Sequence, residues 1–95
     1  MPAVTKFASE CSGHACWPPR PNIQGSPNVF VNGIAAHRQS DAWATHCCVK
    51  SCHDGKLAAG SSTVYCNDLQ LCRIGDPVSC GSVAASGSPN VFAGG

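Results

Sequence analysis

Eight cysteines and four histidines punctuate a chain of 95 residues. The densest run is "ATHCCVKSCH" (44–53), which holds His46, Cys47, Cys48, Cys52 and His53. Upstream, "GHAC" brings His14 and Cys16 together; downstream, "SCGS" isolates Cys80. Imidazole and thiolate are the donor types that bind zinc best, and the same thiols could instead pair as disulfides. The spacing "CCVKSCH" is not a paired-knuckle pattern, so spacing alone does not select ligands. A zinc hydrolase would need an open coordination position and a general base. The carboxylates are Glu10, Asp41, Asp54, Asp68 and Asp76, with no HExxH arrangement. Asp54 beside His53 is the sole candidate base, and the expectation is that the chain is not an enzyme and has no small-molecule substrate.

The elements that must position these residues have little apolar bulk. One small domain of this length has limited capacity for a core, and ten Gly and seven Pro reduce it further. Such a fold usually needs a disulfide or metal staple. Six Lys and Arg against five Asp and Glu leave a formal charge of +1, and no basic cluster marks a nucleic-acid footprint. "MPAVTKFASECSG" has no apolar stretch long enough for a signal sequence. The expectation is synthesis in the cytoplasm, where thiols beside imidazoles read as metal ligands rather than disulfides.

Three related segments organise the chain. "GSPNVF" occupies 25–30 and again 87–92, and "GSSTVY" occupies 60–65. The stretches 25–41 and 60–76 align without a gap, matching Gly25/Gly60, Ser26/Ser61, Val29/Val64, Asn32/Asn67, Arg38/Arg73 and Asp41/Asp76. Repetition of this kind marks a supersecondary unit. A short apolar run precedes each Gly-Ser and an alternating run comes after it, which predicts three β-hairpins turning at Gly-Ser, near 22–41, 56–76 and 82–95. One hairpin alone is marginal in water; three can lean on one another about a common axis. The expected architecture is all-β, a small single domain (1–95) of pseudo-threefold hairpins with little helix. "SDAWATHCC" (40–48) is the best place for one capped helical turn.

The register of the repeats ranks the donors. His53 lies seven residues before Gly60, and Cys80 seven before Gly87. In the first segment His14 heads a longer run, "HACWPPRPNIQG", whose extra length is a stiff Pro-rich insert. Around an axis, His14, His53 and Cys80 converge at one end, with His46 the nearest imidazole for a fourth ligand. Cys47, Cys48 and Cys52 compete for the same role. His37 sits opposite Cys72 within the repeat and reads as a packing or surface residue.

The strings "SPNVFVNGIAAHRQSD" and "GSSTVYCNDLQLCRIGDPVSCGSVAASGSPNVFAGG" resemble PAAR-repeat proteins, over roughly residues 11–95. The Pro-Ala-Ala-Arg tetrapeptide of that family falls on residues 35–38 and 70–73, where only Arg38 and Arg73 keep their place. The resemblance implies a cone with pseudo-threefold symmetry that caps a trimeric β-helical spike, one tip per trimer. Such tips belong to type VI secretion systems or phage tails; they touch a target membrane mechanically and travel outside the cell. It also implies one structural Zn2+ per chain, carried by His14, His46, His53 and Cys80. Contacts with the spike are expected from Val29, Val31, Val64, Val91 and Phe92, and the expectation is a stand-alone tip without a toxin extension after the last repeat. The rival reading is a disulfide-stapled extracellular binding module.

Overall fold

The computed structural model describes residues 1–94; the final position of the third repeat, 95, lies outside them. In chain order the strands are β1 (Phe30–Val31), β2 (Ile34–Ala35), β3 (Ala42–Cys48), β4 (Ser51–Lys56), β5 (Tyr65–Cys66) and β6 (Leu69–Gln70). They pair antiparallel as β1–β2, β3–β4 and β5–β6. No helix occurs among the described residues.

The hairpins turn one step later than the sequence suggested. The β1–β2 reversal is Asn32-Gly33 and the β5–β6 reversal is Asn67-Asp68. All four residues have positive φ, from 54° to 77°, the conformation of type I′ turns whose twist matches the strands they join. The Gly-Ser steps instead form hydroxyl-centred turns. Ser26 Oγ accepts from the amides of Asn28 and Val29 at 3.2 and 2.9 Å. Ser61 Oγ does the same for Thr63 and Val64, and Ser88 Oγ for Asn90 and Val91. The serine amides donate to Ala36, Leu71 and Val4 carbonyls at 2.7–2.8 Å. That approach requires glycine next door: a Cβ on Gly87 would lie 2.6 Å from the Val4 carbonyl oxygen.

The N-terminal segment completes the third repeat. Phe92 bridges Ala3 just as Phe30 pairs with Ala35 and Tyr65 with Gln70. Val4, Ala36 and Leu71 are therefore equivalent, as are Thr5, His37 and Cys72. The repeats join in a closed cycle through the bridges Lys6–Ala36, Arg38–Leu71 and Arg73–Val4. At its centre the amide of Thr5 donates to Cys72, that of Cys72 to His37, and that of His37 to Thr5, at 2.9, 3.0 and 3.2 Å. This triangle is the pseudo-threefold axis.

The core is built from such triplets in two layers. Val31, Cys66 and Ala93 pack with Val4, Ala36 and Leu71. Cys11, Trp43 and Val78 pack with Leu57, Ala84 and Cys72, and Cys80 rests against this second layer. Val31 is thus a core residue rather than the outward contact expected for it, because pairing at Asn32-Gly33 turns it inward.

Residues 42–48 form strand β3 rather than a helical turn. Asp41, with Ser40 a candidate cap for that turn, is committed elsewhere: its carboxylate accepts from the Arg38 amide at 2.8 Å and pairs with the Arg38 guanidinium at 2.9 Å. Arg73 and Asp76 repeat this motif, so the repeated Arg and Asp make an internal ion pair. The third repeat has Lys6 and Ser9 there, with only the amide-to-hydroxyl bond at 3.3 Å.

His37 is fully buried, with Nδ1 2.8 Å from the Gln24 carbonyl and its ring edge-on to Trp43. Burial lowers its pKa, partly offset by the Gln24 bond and Asp41. A histidine held neutral in the fold takes up its proton only on unfolding, so its stabilising effect is complete above about pH 6.5 and is lost as pH falls below it. Replacing His37 with Thr, the residue the third repeat uses, should flatten the loss of unfolding free energy between pH 7 and 5. Denaturant titrations of both proteins at several pH values check this.

Candidate metal centre

Three segments meet beyond the second core layer. His46 and His53 are register partners on β3 and β4, so their side chains lie on one face of the longest hairpin. A register shift between Trp43 and His46 lets both residues be buried although they sit three apart. His14 comes from the loop after Cys11, where His14 and Trp17 exchange backbone hydrogen bonds of 3.0 and 2.8 Å. Cys80 sits in a tight turn closed by Val78 N–H to Ser82 O at 2.8 Å. That turn is tied to the end of β4 by Ser79, which donates its amide to Lys56 O and accepts the Lys56 amide at Oγ. Gly55 leaves room for it: a Cβ there would lie 3.2 Å from Cys80 Sγ.

The donor atoms converge. One ligand atom from each of His14, His46, His53 and Cys80 lies within 4.8 Å of all the others. His53 Nε2 is 2.7 Å from His46 Nε2 and 3.0 Å from His14 Nε2. His46 Nδ1 lies 2.9 Å from the Pro18 carbonyl, which fixes that nitrogen as the N–H and leaves Nε2 as a bare lone pair. One proton on His53 Nε2 would have to serve two neighbours. A cation bound at about 2.0–2.3 Å from each donor would separate them by roughly 3.3–3.6 Å and satisfy all four together. The donor set therefore fits a metal ion, and among the described residues the cluster has these four members. His14 is held below the ordinary imidazole range, first by loss of solvation and then by His46 and His53, which favours the neutral form a metal needs.

Trp17 roofs the group. Its ring stacks on His14 at 5.0 Å and on His53 at 4.8 Å, and Nε1 donates to Ser51 O at 3.1 Å. The sequence marked "WPPRP" only as a stiff insert. The signal for Trp17 was its place three residues after a ligand candidate, with prolines to fix its direction.

The other apical thiols are spoken for. Cys16 is bonded to Cys48 and Cys47 to Cys52, which removes Cys47, Cys48 and Cys52 as rivals of Cys80. This corrects the expectation that cysteines beside histidines would remain thiols. Cys47 and Cys52 are directly opposed in the β3–β4 register, where side chains on one face must meet. Cys11, Cys66 and Cys72 are free and buried, and burial pushes the Cys72 thiol up to about 12.

The PAAR motif profile matches residues 12–86, and the chain belongs to the PAAR-motif family. Two curated relatives, the NAD(P)(+) glycohydrolase toxin Tse6 and the (p)ppApp synthetase toxin Tas1, both of Pseudomonas aeruginosa, are each 34% identical over 79 residues. Each match covers 77% of this chain and 18% of the relative.

Trp17→Ala should destabilise the protein by about 2 kcal/mol through lost stacking and an opened roof. Trp17→Phe keeps the ring, loses the bond to Ser51, and should cost about 1 kcal/mol. Equal effects in chemical denaturation would show that stacking is not what Trp17 supplies.

Proposed function

We propose that this chain is a structural tip that caps a trimeric β-helical spike of a contractile injection machine, with one Zn2+ held by His14, His46, His53 and Cys80. The observation that carries the reading is the ring Phe30, Tyr65 and Phe92. These are equivalent positions of the three repeats, each next to an inward-facing residue of the first core layer, and 59%, 56% and 50% exposed. A soluble chain that leaves one aromatic uncovered is ordinary; one that leaves three, related by its own axis, presents a threefold apolar face. Val29 and Val64 add exposed apolar surface beside them, and Val91 is partly covered by the first core layer. The ring residues adjoin members of the first core layer whereas Cys80 packs against the second, and on this reading one end meets the spike and the other the target membrane.

Zinc suits the donor set, because three imidazoles and one thiolate close a tetrahedral site with no position for a catalytic water. Its role is mechanical: apparent binding free energies of ~10–16 kcal/mol are typical of structural zinc in finger peptides, ample for an apex with no core. The PAAR segment is not the source of its relatives' enzymatic names, since two differently named activities share a match of the same extent. Toxin relatives favour a secretion machine over a phage tail, and delivery outside the cell is what that setting implies. The disulfides lend some weight to the rival reading, an extracellular binding module, which would bind no metal.

Elemental analysis should find one zinc per chain, lost in Cys80→Ala. Native mass spectrometry with the cognate spike should give one tip per three spike chains. Replacing Phe30, Tyr65 and Phe92 together with Ser should weaken that complex at least about a hundredfold, as loss of a buried aromatic hot spot does, with circular dichroism unchanged. Full binding by the triple variant would overturn the assignment of this face.

A further inference from the structure

Every imidazole of the metal group has a disulfide beside it. His14 is two residues from Cys16, His46 adjoins Cys47, and His53 adjoins Cys52. Cys80 alone lies on a segment that no disulfide touches. The two bonds also join different things. Cys16–Cys48, with Cα atoms 5.4 Å apart, ties the His14 and Trp17 loop to the end of β3. Cys47–Cys52, with Cα atoms 4.1 Å apart, closes the β3–β4 hairpin one rung beyond the two histidines, on its exposed face. Beyond that rung lie the pair Cys48–Ser51 and the reversal Val49-Lys50, where Val49 is 95% exposed at φ 57°, a conformation that β-branched residues rarely adopt.

We propose that Cys16–Cys48 and Cys47–Cys52 form an oxidative clasp over the metal group, which fixes Cys80 as its only sulfur donor and slows release of the ion. The inference rests on the reading of these four residues as metal ligands. With its thiols reduced, the apex offers five sulfurs to one ion: Cys16, Cys47, Cys48, Cys52 and Cys80. Cys48, two residues from His46 on the same face of β3, and Cys16, two residues from His14, are placed to compete with Cys80. Cys47 and Cys52 alternate to the exposed face of the hairpin and compete only if its end turns over. Oxidation removes that competition. Each bond forms as two thiols give up two protons and two electrons to a small-molecule disulfide such as oxidised glutathione, which leaves as two thiols. Once both are closed, the His14 loop cannot swing away from the hairpin. The ion can then leave only past the Cys80 turn.

The test uses the full chain refolded with zinc, half of it kept in a phosphine reductant and half oxidised with glutathione disulfide. Alkylation after unfolding should label four thiols in the oxidised protein, those of Cys11, Cys66, Cys72 and Cys80, and eight in the reduced one. Zinc transfer to a chromophoric chelator should be roughly tenfold or more slower from the oxidised form, the scale of a constraint on local opening by a native disulfide. With Co2+ in place of zinc, the thiolate-to-metal absorption of the reduced form should exceed that of the oxidised form. The paired variants Cys16→Ser/Cys48→Ser and Cys47→Ser/Cys52→Ser should each release zinc at an intermediate rate. Eight labelled thiols after oxidation, or equal release rates from two zinc-loaded forms, would overturn the clasp. Absence of zinc from both forms would instead overturn the ligand assignment on which it rests.

Discussion

The triangle of hydrogen bonds among Thr5, Cys72 and His37 is the constraint on which the rest of the molecule depends. Strands of two residues have no independent stability, and each exposes unpaired amides on both edges. Joining three such units in a cycle removes the edges, because every repeat hands its open side to the next. The third repeat is completed by residues 2–9 at the other end of the chain, which pair with the segment around Phe92. Ring closure therefore ties the two ends of the sequence together, and it supplies long-range order to a chain whose local propensity for any element is weak.

Symmetry decays along the axis. In the turns nearest the aromatic ring, Ser26, Ser61 and Ser88 make the same bonds and donate to Asn67 Oδ1, the Gly94 carbonyl and Asn32 Oδ1 at 2.5–2.6 Å. One layer on, equivalent positions have diverged: Trp43 fills volume beside its smaller counterparts Cys11 and Val78. Asn22 replaces an apolar residue and spends its amide on Lys6 O and Ala8 N–H. At the metal group only the outline of a threefold arrangement is left, since one repeat contributes a two-histidine hairpin and the others a loop and a turn. On the proposed reading, a surface that meets three identical chains must stay threefold, whereas an apex that meets none is free to specialise.

Much of the architecture is legible in the residues alone, and the failures have identifiable causes. The repeats are visible because the serine turns and the close approach of Gly25, Gly60 and Gly87 to a neighbouring carbonyl admit few substitutes. The repeat register brings His53 and Cys80 forward but leaves Cys47, Cys48 and Cys52 as rivals, and the set of four comes only with the family resemblance. Turn position is misleading: Gly-Ser-Pro looks like the hairpin reversal, while Asn32-Gly33, the stronger type I′ signal, lies seven residues after Gly25. That slip also turns Val31 to the wrong face. Asp41 looks like a helix cap because its partner Arg38 precedes it and the guanidinium pairing is invisible to a one-dimensional reading. The disulfides escape because compartment, rather than geometry, is the basis for judging the thiols. The register Cys47–Cys52 can be read only once β3 and β4 are known to pair.

The apex explains why sulfur and imidazole concentrate where they do. A layer of six apolar side chains closes each of the two core levels, but the β3–β4 hairpin runs on past the second with only a loop and a turn for neighbours. The body is 37 Å long and 24 × 22 Å across, and there is no third triplet of bulky residues to fill the remaining length. Apolar burial scales with area, so its contribution vanishes where cross-section does. Coordination and covalent bonds do not depend on enclosed area. They need only a few atoms at fixed distance, and a narrowing structure can still provide those. A chain shaped by threefold contact at one end and by mechanical load at the other would place hydrophobic triplets where it is wide and bonds where it is thin.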